Sequence, residues 1–406
     1  MDKKRKRKNY FLKKQRVFVG MSGGVDSSVS VALLKDRGFD VTGVFIKTWS
    51  PDWLPCTWRE ERRDAMRVTA KLKIPLITLD LEKEYKERVV DYMITEYRSG
   101  RVPNPDVMCN KVIKFGGFFD YAMNHGADFV ATGHYARVVR ASPQTNNSLP
   151  SPAGDNYLHS RPIGPFGDQA RAVCESLSSK NPNSSWLCTS VDREKDQTYF
   201  LWTLTQRELS RTLFPIGHLQ KSDVRKLARK FDLPNAEKKD SQGLCFMGKI
   251  DVKEFLKHYI KEKTGRVLNE DGEVIGVHEG AAFYTLGERH GFNIINKSTN
   301  DLPHYVIHKD IKKNILVVSQ KRDEGEILKK EVMVKNVNWN QGLEPNLKKK
   351  FKARIRYRQE LQDCMIGGIK GGQYKIIFDK GQVAPAPGQS VVIYEDGVCL
   401  GGGIIV

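Results

Sequence analysis

Seven consecutive residues near the start of the chain, Ser22-Gly23-Gly24-Val25-Asp26-Ser27-Ser28, have the composition of a phosphate-binding loop. They follow a short apolar run and precede apolar residues at helical spacing, which predicts a strand, a Gly-rich turn and a helix. Glycines let backbone N–H groups turn toward an anion, and the helix N-terminus adds a favourable dipole. The lysine of a Walker A loop is missing, so simple γ-phosphate transfer is not indicated. A plain glycine turn with a serine cap is the alternative interpretation.

Two cysteines stand in sequence contexts that suit chemistry. Cys109 follows Asn104-Pro105-Asp106, a turn former expected to expose the side chain, and Lys111 and Lys114 would favour a thiolate. Cys245 follows a glycine two residues earlier in a similarly turn-like context. Because the two thiols are far apart in the chain, only the fold can bring them together. A buried, inert thiol is the alternative for each of them.

Two further side chains have both a chemical and a structural interpretation. Asp106 could act as a general acid or base, or it could form an Asx turn. His134 follows a predicted parallel strand, at the end where ligands of such sheets bind, although a loop histidine that faces solvent has the same pattern. The residues between His304 and His308 read as a strand, which argues against a metal site at this pair.

The chain is strongly basic, with 67 Lys and Arg residues against 48 Asp and Glu residues and a net charge of +19. Nine basic residues lie between Lys3 and Arg16, and seven of the eleven residues from Lys348 to Arg358 are basic. Such an excess favours a polyanionic partner. In the second block basic and apolar residues alternate, which predicts a strand with one basic face and one buried face. Phosphate contact is the expected use, and an edge strand protected by charge is the alternative.

The order of elements predicts an α/β protein. Strands and helices alternate from residue 17 to 132, which indicates a parallel sheet with helices on both faces. Residues 141–191 include 24 Ser, Asn, Pro or Gly residues and are interpreted as an inserted loop. Beyond about residue 265, glycines separate short strands, which predicts an all-β tail with one or two small barrels.

Hydropathy and cysteine content indicate the cellular compartment of the protein. The mean hydropathy is −0.49, no run of 18 apolar residues occurs, and the chain start has no apolar region typical of a secretion signal. Seven cysteines without a CxxC pair do not resemble a disulfide framework. The sequence therefore predicts a protein of a reducing cytoplasm, with no membrane partner.

Several motifs together resemble one enzyme family. The loop at residues 22–28 is similar to that of the ATP-pyrophosphatases, which release pyrophosphate and leave an adenylated substrate. Within that group, the chain resembles the tRNA-specific 2-thiouridylases in five further segments, which lie in the same order: Asn104–Asn110, Ala131–Tyr135, Lys195–Phe200, Asp240–Phe246 and Arg356–Gln359. The lysine-rich arm and the insertion depart from the family pattern.

This resemblance implies an adenine-nucleotide hydrolase-like parallel sheet with helices on both faces, followed by a small central domain and a C-terminal β-barrel. The implied domains are 1–211, with a basic arm at 1–16 and the insertion at about 141–191, then 212–325 with Cys245, and 326–406 as the tRNA-contacting barrel. ATP with Mg²⁺ would activate the 2-oxygen of the wobble uridine of tRNA at position 34. A donor protein would supply persulfide sulfur, and no protein side chains alone would hold a metal.

The resemblance also implies roles for individual residues. Cys109 is the expected nucleophile, Cys245 the persulfide carrier and Asp106 the general acid or base. The expected ATP-binding residues are Gly20, Met21, Ser22, Gly23, Gly24, Val25, Asp26, Ser27, Ile46 and Gly133. The expected contacts to tRNA or its target base are Asn104, Pro105, Asp106, His134, Lys195, Asp196, Gln197, Arg356, Tyr357 and Gln389.

Two rival functions remain open from the sequence. Another ATP-pyrophosphatase, such as a synthetase that amidates its adenylated substrate, would need neither cysteine motif. An RNA-binding protein that has lost catalysis would not need Asp26, Cys109 and Cys245, all of which are present.

Overall fold

The chain folds around three β-sheets. A computed structural model describes residues 14–54, 58–140, 184–240, 251–295, 302–321, 328–369 and 371–406. Most of the basic arm, most of the predicted insertion and the segment with Cys245 lie outside these described residues. The α/β fold class with a central domain and a C-terminal β-barrel is confirmed.

The first sheet is parallel and has the strand order β3-β2-β1-β4-β7. Its central strands are nearly continuous apolar runs, as expected for strands covered on both faces. The strands are β1 (Arg16–Met21), β2 (Asp40–Lys47), β3 (Leu76–Asp80), β4 (Phe129–Ala131) and β7 (Thr212–Leu213).

Helices cover both faces of this sheet. None of those in the described ranges combines the length and the hydrophobicity needed to cross a membrane. The α-helices are α1 (Val25–Asp36), α2 (Trp58–Lys71), α3 (Glu82–Tyr85), α4 (Asp91–Arg98), α5 (Pro105–Cys109), α6 (Phe119–Asn124), α7 (Gln206–Leu209), α8 (Lys221–Lys230) and α9 (Val252–Lys257). Wider π-helical turns join α3 to α4 and α5 to α6, at Lys86–Val90 and Asn110–Phe118.

The second sheet forms the central domain, with the order β10-β9-β8-β12-β11. It packs on the first domain through one continuous apolar core, in which Phe18 and Cys109 share a cluster with Phe255 and Val318. Its strands are β8 (Gly265–Leu268), β9 (Val274–His278), β10 (Asn293–Ile294), β11 (Tyr305–Asp310) and β12 (Ile315–Ser319).

The third sheet closes into a six-stranded antiparallel barrel because β13 pairs with both β16 and β18. A hairpin of the first domain, β5 and β6, is joined to the barrel at β18 through Cys188 and Val398. The strands are β5 (Ala136–Arg140), β6 (Ser185–Thr189), β13 (Leu328–Trp339), β14 (Phe351–Arg354), β15 (Gln362–Ile369), β16 (Gln373–Val383), β17 (Ser390–Glu395) and β18 (Val398–Ile405).

Two predicted boundaries are wrong. The first domain does not end at residue 211. Strand β7 pairs with β4 of the first sheet, and Val224 and Ala228 of α8 lie in the same apolar cluster as the buried residues of α1. A two-residue strand gives no periodicity to detect. The predicted insertion does not extend to residue 191, because β6 is part of the hairpin with β5. This strand, Ser185–Thr189, is too short to give a clear apolar pattern among the surrounding polar residues.

A buried ion pair joins the first domain to the barrel. Arg354 Nη2 at the end of β14 lies 2.5 Å from Asp196 Oδ2, and the two side chains are 8% and 3% exposed. Asp196 also accepts hydrogen bonds from the Ser190 amide and the Thr198 hydroxyl, and Arg354 donates to the Tyr394 hydroxyl. The prediction of one solvent-exposed basic face on this strand is therefore wrong at Arg354, because the buried carboxylate requires a cation at that place.

We expect Arg354→Met to lower the free energy of unfolding by about 3–5 kcal/mol, since it leaves the carboxylate of Asp196 buried without its partner. Lys352→Met on the same strand should change it by less than about 1 kcal/mol, because Lys352 pairs with Asp363 at the surface. Urea unfolding of the three proteins measures both values. An equal loss in the free energy of unfolding for the two variants would show that the buried pair stabilises the protein no more than the surface pair does.

Candidate active site

The Gly-rich turn between β1 and α1 is held in one shape by its neighbours. Gly23 has φ +70°, and a Cβ atom there would lie 2.3 Å from the carbonyl oxygen of Glu61. Only glycine meets both conditions. Asn235 Nδ2 donates to the Gly23 carbonyl at 2.9 Å, while the Ser28 hydroxyl donates to the Gly24 carbonyl at 2.9 Å. We call residues 22–28 the anion loop, and these contacts within the protein hold its backbone.

The residues predicted to bind ATP converge at this turn. Gly20 and Met21 end β1, and Ile46 lies near the end of the adjacent β2, where Met21 pairs with Phe45. Gly133, after β4, approaches so closely that its Cβ would lie 2.7 Å from the Ser27 amide nitrogen. The structure thus brings the predicted set together at the carboxyl edge of the sheet, although ATP binding by these residues stays a prediction.

Asp26 is the one acidic residue of the anion loop. Lys221 Nζ donates to its two carboxylate oxygens at 2.7 and 2.8 Å, and the Tyr135 hydroxyl donates to Oδ1 at 2.9 Å. Burial and the nearby carboxylate of Asp26 raise the pKa of Tyr135 far above its usual value, so the phenol stays a donor. The sequence did not single out Lys221 or Tyr135 for any role.

Cys109 ends a helix rather than an exposed turn. Asn104 Oδ1 accepts from the Val107 amide at 3.2 Å, Pro105 occupies the first turn, and α5 continues to Cys109, which is fully buried. The expectation of an exposed thiol is therefore wrong in this structure. Asp106, in the first turn, is half-buried.

Asn110, the residue that follows Cys109, is also buried. Asn110 donates from Nδ2 to the Phe200 carbonyl at 3.1 Å, while its Oδ1 has no hydrogen-bond partner in the described part of the chain. A buried acceptor without a partner is costly unless a ligand satisfies it.

Two other cysteines, Cys364 and Cys399, lie in the barrel. Burial raises the pKa of each of these thiols to about 12, so both stay protonated at neutral pH, as expected of chemically inert thiols.

His134 is buried rather than exposed on a loop. Its Nδ1 lies 2.8 Å from the Thr132 hydroxyl and its Nε2 lies 3.4 Å from Lys114 Nζ. Burial, together with the positive charge of Lys114, lowers the pKa of His134 well below 6.5. The imidazole is therefore neutral at physiological pH. Contact of His134 with tRNA stays a prediction.

The segment Lys195–Gln197 is occupied by contacts inside the protein. Gln197 exchanges two hydrogen bonds of 2.9 Å with the backbone of Tyr135, and Lys195 Nζ lies 2.9 Å from Asp240 Oδ2. Asp196 holds Arg354, as described above. These contacts position the segment beside the anion loop, and its predicted contact with tRNA is not tested by them.

Asp240 is the last described residue before the segment that includes Cys245. It also pairs with Lys221 at 2.8 Å and with Arg225 at 2.7 Å. Burial alone would raise the pKa of Asp240, but hydrogen bonds from Lys221 and Lys195 outweigh it and lower the pKa to about 2. Asp240 and its partner Lys195 belong to motifs that the sequence singled out, whereas Lys221 and Arg225 carry no sequence signal.

The barrel brings its predicted RNA residues to α5. Gln389 Nε2 donates to the Pro103 carbonyl at 3.4 Å, just before Asn104. Tyr357 packs on Phe200, with ring centroids 4.5 Å apart. Arg356 and Arg358 lie beyond the end of β14 in an exposed turn. Residues more than 250 positions apart thus meet at the N-terminus of the Cys109 helix.

Among the described residues, no group of three or more His, Cys, Asp or Glu side chains is arranged to hold a metal ion. The backbone amides at the N-terminus of α1 instead suit an anionic ligand.

Comparison with known proteins assigns the family. Residues 15–160 and 164–249 match the model of a tRNA methyl transferase HUP domain, 253–320 that of a tRNA methyl transferase PRC-barrel domain, and 329–405 that of an aminomethyltransferase beta-barrel domain. The chain is 41% identical to the tRNA-specific 2-thiouridylase MnmA of Streptococcus thermophilus, over 97% of this chain and 95% of that protein. The chain belongs to the tRNA-specific 2-thiouridylase family.

A second 2-thiouridylase supports the same assignment. The MnmA protein of Nitrosomonas europaea is 41% identical over 97% of this chain and 99% of its own length. Among solved structures, the U34-tRNA thiolase NcsA of Methanococcus maripaludis is similar over 54% of this chain and 57% of that chain, with 16% identity and a TM-score of 0.30. This last similarity is too low to carry an argument.

The buried histidine gives this 2-thiouridylase family member a testable acid sensitivity. The unfolded chain binds a proton at His134 near pH 6.5, whereas the folded chain does so only at much lower pH. The contribution of His134 to stability is therefore complete above pH 6.5 and falls by up to about 1.4 kcal/mol per pH unit below it. We expect His134→Gln to show a shallower loss of stability between pH 6.5 and 5 in urea unfolding.

His125→Gln is the matched control, because that imidazole is exposed. It should retain the slope of the unaltered protein. His218, whose pKa is lowered to about 4 by burial and by the charges of Arg37 and Arg137, contributes to the slope in the same direction and remains in both variants. Identical slopes for His134→Gln and the unaltered protein would contradict the assignment.

Proposed function

We propose that the protein is a tRNA-uridine 2-sulfurtransferase, which uses ATP to adenylate the wobble uridine at position 34 and replaces its 2-oxygen with sulfur. The observation that carries the proposal is the convergence of three parts at one place: the anion loop, the α5 helix with Cys109, and the exposed arginine turn of the barrel. Phe118, the last residue of the π-helical segment that follows α5, lies 3.4 Å from the position of a Cβ on Gly20 in β1. The helical segment that continues from Cys109 therefore packs against the strand that leads into the anion loop.

The anion loop supports adenylation with release of pyrophosphate. Backbone amides at the N-terminus of α1 suit a polyphosphate, and the missing Walker A lysine argues against γ-phosphate transfer. Mg²⁺ bound to substrate phosphates is usually held by one or two protein carboxylates as well. Asp26, whose side chain is 32% exposed, could provide such a carboxylate. Mg²⁺ would supply neutralisation of the phosphate charge.

The surroundings of Cys109 support a uracil as the target. The N3–H of uracil is a hydrogen-bond donor. Asn110, which follows Cys109 in the chain, has a buried acceptor, Oδ1, with no partner in the residues described. Asp106 is near enough in sequence, one helical turn before Cys109, to move a proton as general acid or base. A buried acceptor without a partner, on the residue that follows Cys109, is expected where a base completes the site.

The proposed sulfur transfer needs two thiols. A donor protein leaves a persulfide on Cys245, whose terminal sulfur attacks C2 of the adenylated uridine, and AMP departs with the former 2-oxygen. The Cys109 thiolate then attacks the Cys245 sulfur and breaks the persulfide S–S bond, so that 2-thiouridine is released and a Cys109–Cys245 disulfide forms. A thiol reductant, as in a reducing cytoplasm, restores both thiols. Cys245 lies outside the described residues, and its role here depends on its sequence motif.

We expect Cys109→Ser and Cys245→Ser each to abolish 2-thiouridine formation, because neither thiol can replace the other in this sequence of steps. The measurement is mass spectrometry of tRNA nucleosides after incubation with ATP, Mg²⁺, a persulfide source and the protein. Cys364→Ser is the control, because that buried thiol lies in the barrel core. Appreciable thiolation by either of the first two variants would refute the two-cysteine scheme, and its absence in the unaltered protein would refute the proposed function.

The arginine turn should provide phosphate contacts to tRNA. Each contact that releases counterions contributes about −0.9 to the slope of log affinity against log salt on a duplex, and about −0.7 on a single strand. Replacing Arg356 and Arg358 with glutamine should flatten the slope by roughly one to two units, with ATP binding unchanged. Filter binding of tRNA at several salt concentrations measures it.

The lysine-rich arm at Lys3 to Lys8 is a competing source of the same effect, so a truncated protein without it is measured in parallel. If truncation changes the slope and the double arginine variant does not, the turn is not the RNA surface.

A further inference from the structure

Two aromatic side chains, Phe200 and Tyr357, meet where the first domain contacts the barrel. Their ring centroids lie 4.5 Å apart, and the two rings are tilted by 47°. Both rings pack against the apolar cluster that joins the two domains, yet both remain partly exposed. We call these two residues the aromatic pair. Rings that the protein covers only in part can stack with a further flat ring.

Contacts within the protein hold the aromatic pair in place. Phe200 ends the short 3-10 helix Thr198–Phe200. Its neighbour Tyr199 is buried, with a hydroxyl that lies 3.0 Å from the Ile355 carbonyl oxygen and 3.1 Å from the Ser390 carbonyl oxygen. These contacts tie the helix to the barrel two residues before Tyr357. A surface that is already fixed loses little conformational freedom when a ligand binds.

Positive charge surrounds the aromatic pair. The Arg358 guanidinium lies 5.2 Å from the centre of the Tyr357 ring, and Arg356 is exposed in the same turn. Burial raises the pKa of Tyr357, while the positive charges of Arg358 and Lys195 act in the opposite direction. Proteins that bind single-stranded nucleic acids combine aromatic rings, on which bases stack, with cations that contact the phosphates. The chemistry of this surface therefore fits RNA.

The aromatic pair also lies next to the proposed place of the target base. Asn110 Nδ2 donates to the Phe200 carbonyl at 3.1 Å, and Asn110 Oδ1 is the proposed acceptor for the N3–H of uracil. An enzyme that acts on a base turns it out of its stack, at a cost in stacking energy. The bases on either side of it then lose a stacking partner. An aromatic ring beside the target can replace that partner.

We propose that Phe200 and Tyr357 form a stacking site for the base of a nucleotide adjacent to the wobble uridine, with Phe200 as a further RNA-binding residue. This inference rests on the proposed function. The stack offsets part of the cost of turning the wobble uridine toward Cys109. The exposed arginines of the turn contact phosphates of the same strand, so base and backbone are held together.

Fluorescence of 2-aminopurine tests the stack directly, because stacking on an aromatic ring quenches it. The full-length protein is mixed at saturation with tRNA in which 2-aminopurine replaces the base on the 5′ or on the 3′ side of the wobble uridine. At one of these two positions, we expect tRNA bound to Phe200→Leu to be at least about twofold brighter than tRNA bound to the unaltered protein, since leucine offers no ring.

The affinity for tRNA gives a second measurement. Loss of one stack should weaken binding roughly five- to hundredfold in Phe200→Leu, whereas Phe200→Tyr, which keeps the ring, should stay within about threefold of the unaltered protein. Because the stack carries no charge, the slope of log affinity against log salt should not change in Phe200→Leu. Loss of phosphate contacts in the double variant of Arg356 and Arg358 should instead flatten it.

Phe231→Leu is the matched control. Phe231 is also a partly buried phenylalanine, but it packs on the apolar cluster of α1 and the first sheet. It should leave both the fluorescence and the affinity unchanged. Urea unfolding shows whether each variant is folded. Tyr357→Leu removes the other ring of the pair and should give the same increase in fluorescence, which covers the case in which Phe200→Leu does not fold.

Two results would overturn the inference. One is equal fluorescence, at both labelled positions, of tRNA bound to the unaltered protein and to a folded variant that lacks one ring of the pair. The other is an affinity of Phe200→Leu equal to that of the unaltered protein. The proposed function fails by a different result, the absence of 2-thiouridine after incubation with the unaltered protein.

Discussion

The buried ion pair between Asp196 and Arg354 is the contact on which the arrangement of the site depends. It fixes the turn at residues 190–198 against the barrel, and both neighbours of Asp196 in that turn reach the nucleotide side of the molecule. Lys195 holds Asp240, and Gln197 holds the backbone of Tyr135, whose hydroxyl donates to Asp26. A continuous set of polar contacts thus runs from the barrel to the anion loop. Removing charge from water in this way is costly, and the protein offsets the cost with several hydrogen bonds to each buried group.

Apolar packing supports this polar connection rather than competing with it. The core that contains Cys109 continues into the central domain, and a second cluster joins Phe115 and Tyr199 of the first domain to Val392 and Tyr394 of the barrel. Interfaces of this kind behave as extended cores, so the three sheets hold fixed positions relative to one another. Cys109 is in the first of these clusters, which means that access to its thiol requires a movement of the residues that cover it.

Sequence reasoning succeeded where structure is decided locally. The strand, Gly-rich turn and helix around residues 17–36 need only neighbouring residues, and they form as predicted. It failed where a distant partner decides. Asn-Pro-Asp suits both a turn and a helix start, and only packing selected the helix that buries Cys109. Lys221 and Lys226 look alike in an amphipathic helix, and the sequence does not reveal that only Lys221 faces two carboxylates.

Charge distribution modifies the conclusion drawn from composition. The second basic block has seven basic residues, but Lys349, Lys350 and Lys352 pair with Glu395, Asp379 and Asp363, and Arg354 is buried. The field of this block in solution is therefore weaker than the count suggests, because four of the seven charges are compensated. The exposed turn with Arg356 and Arg358 is where its attraction for an anion is concentrated, and this turn is also the part of the block that lies beside the Cys109 helix. Under the proposed function, the turn therefore attracts tRNA phosphates next to the helix that carries the proposed nucleophile Cys109.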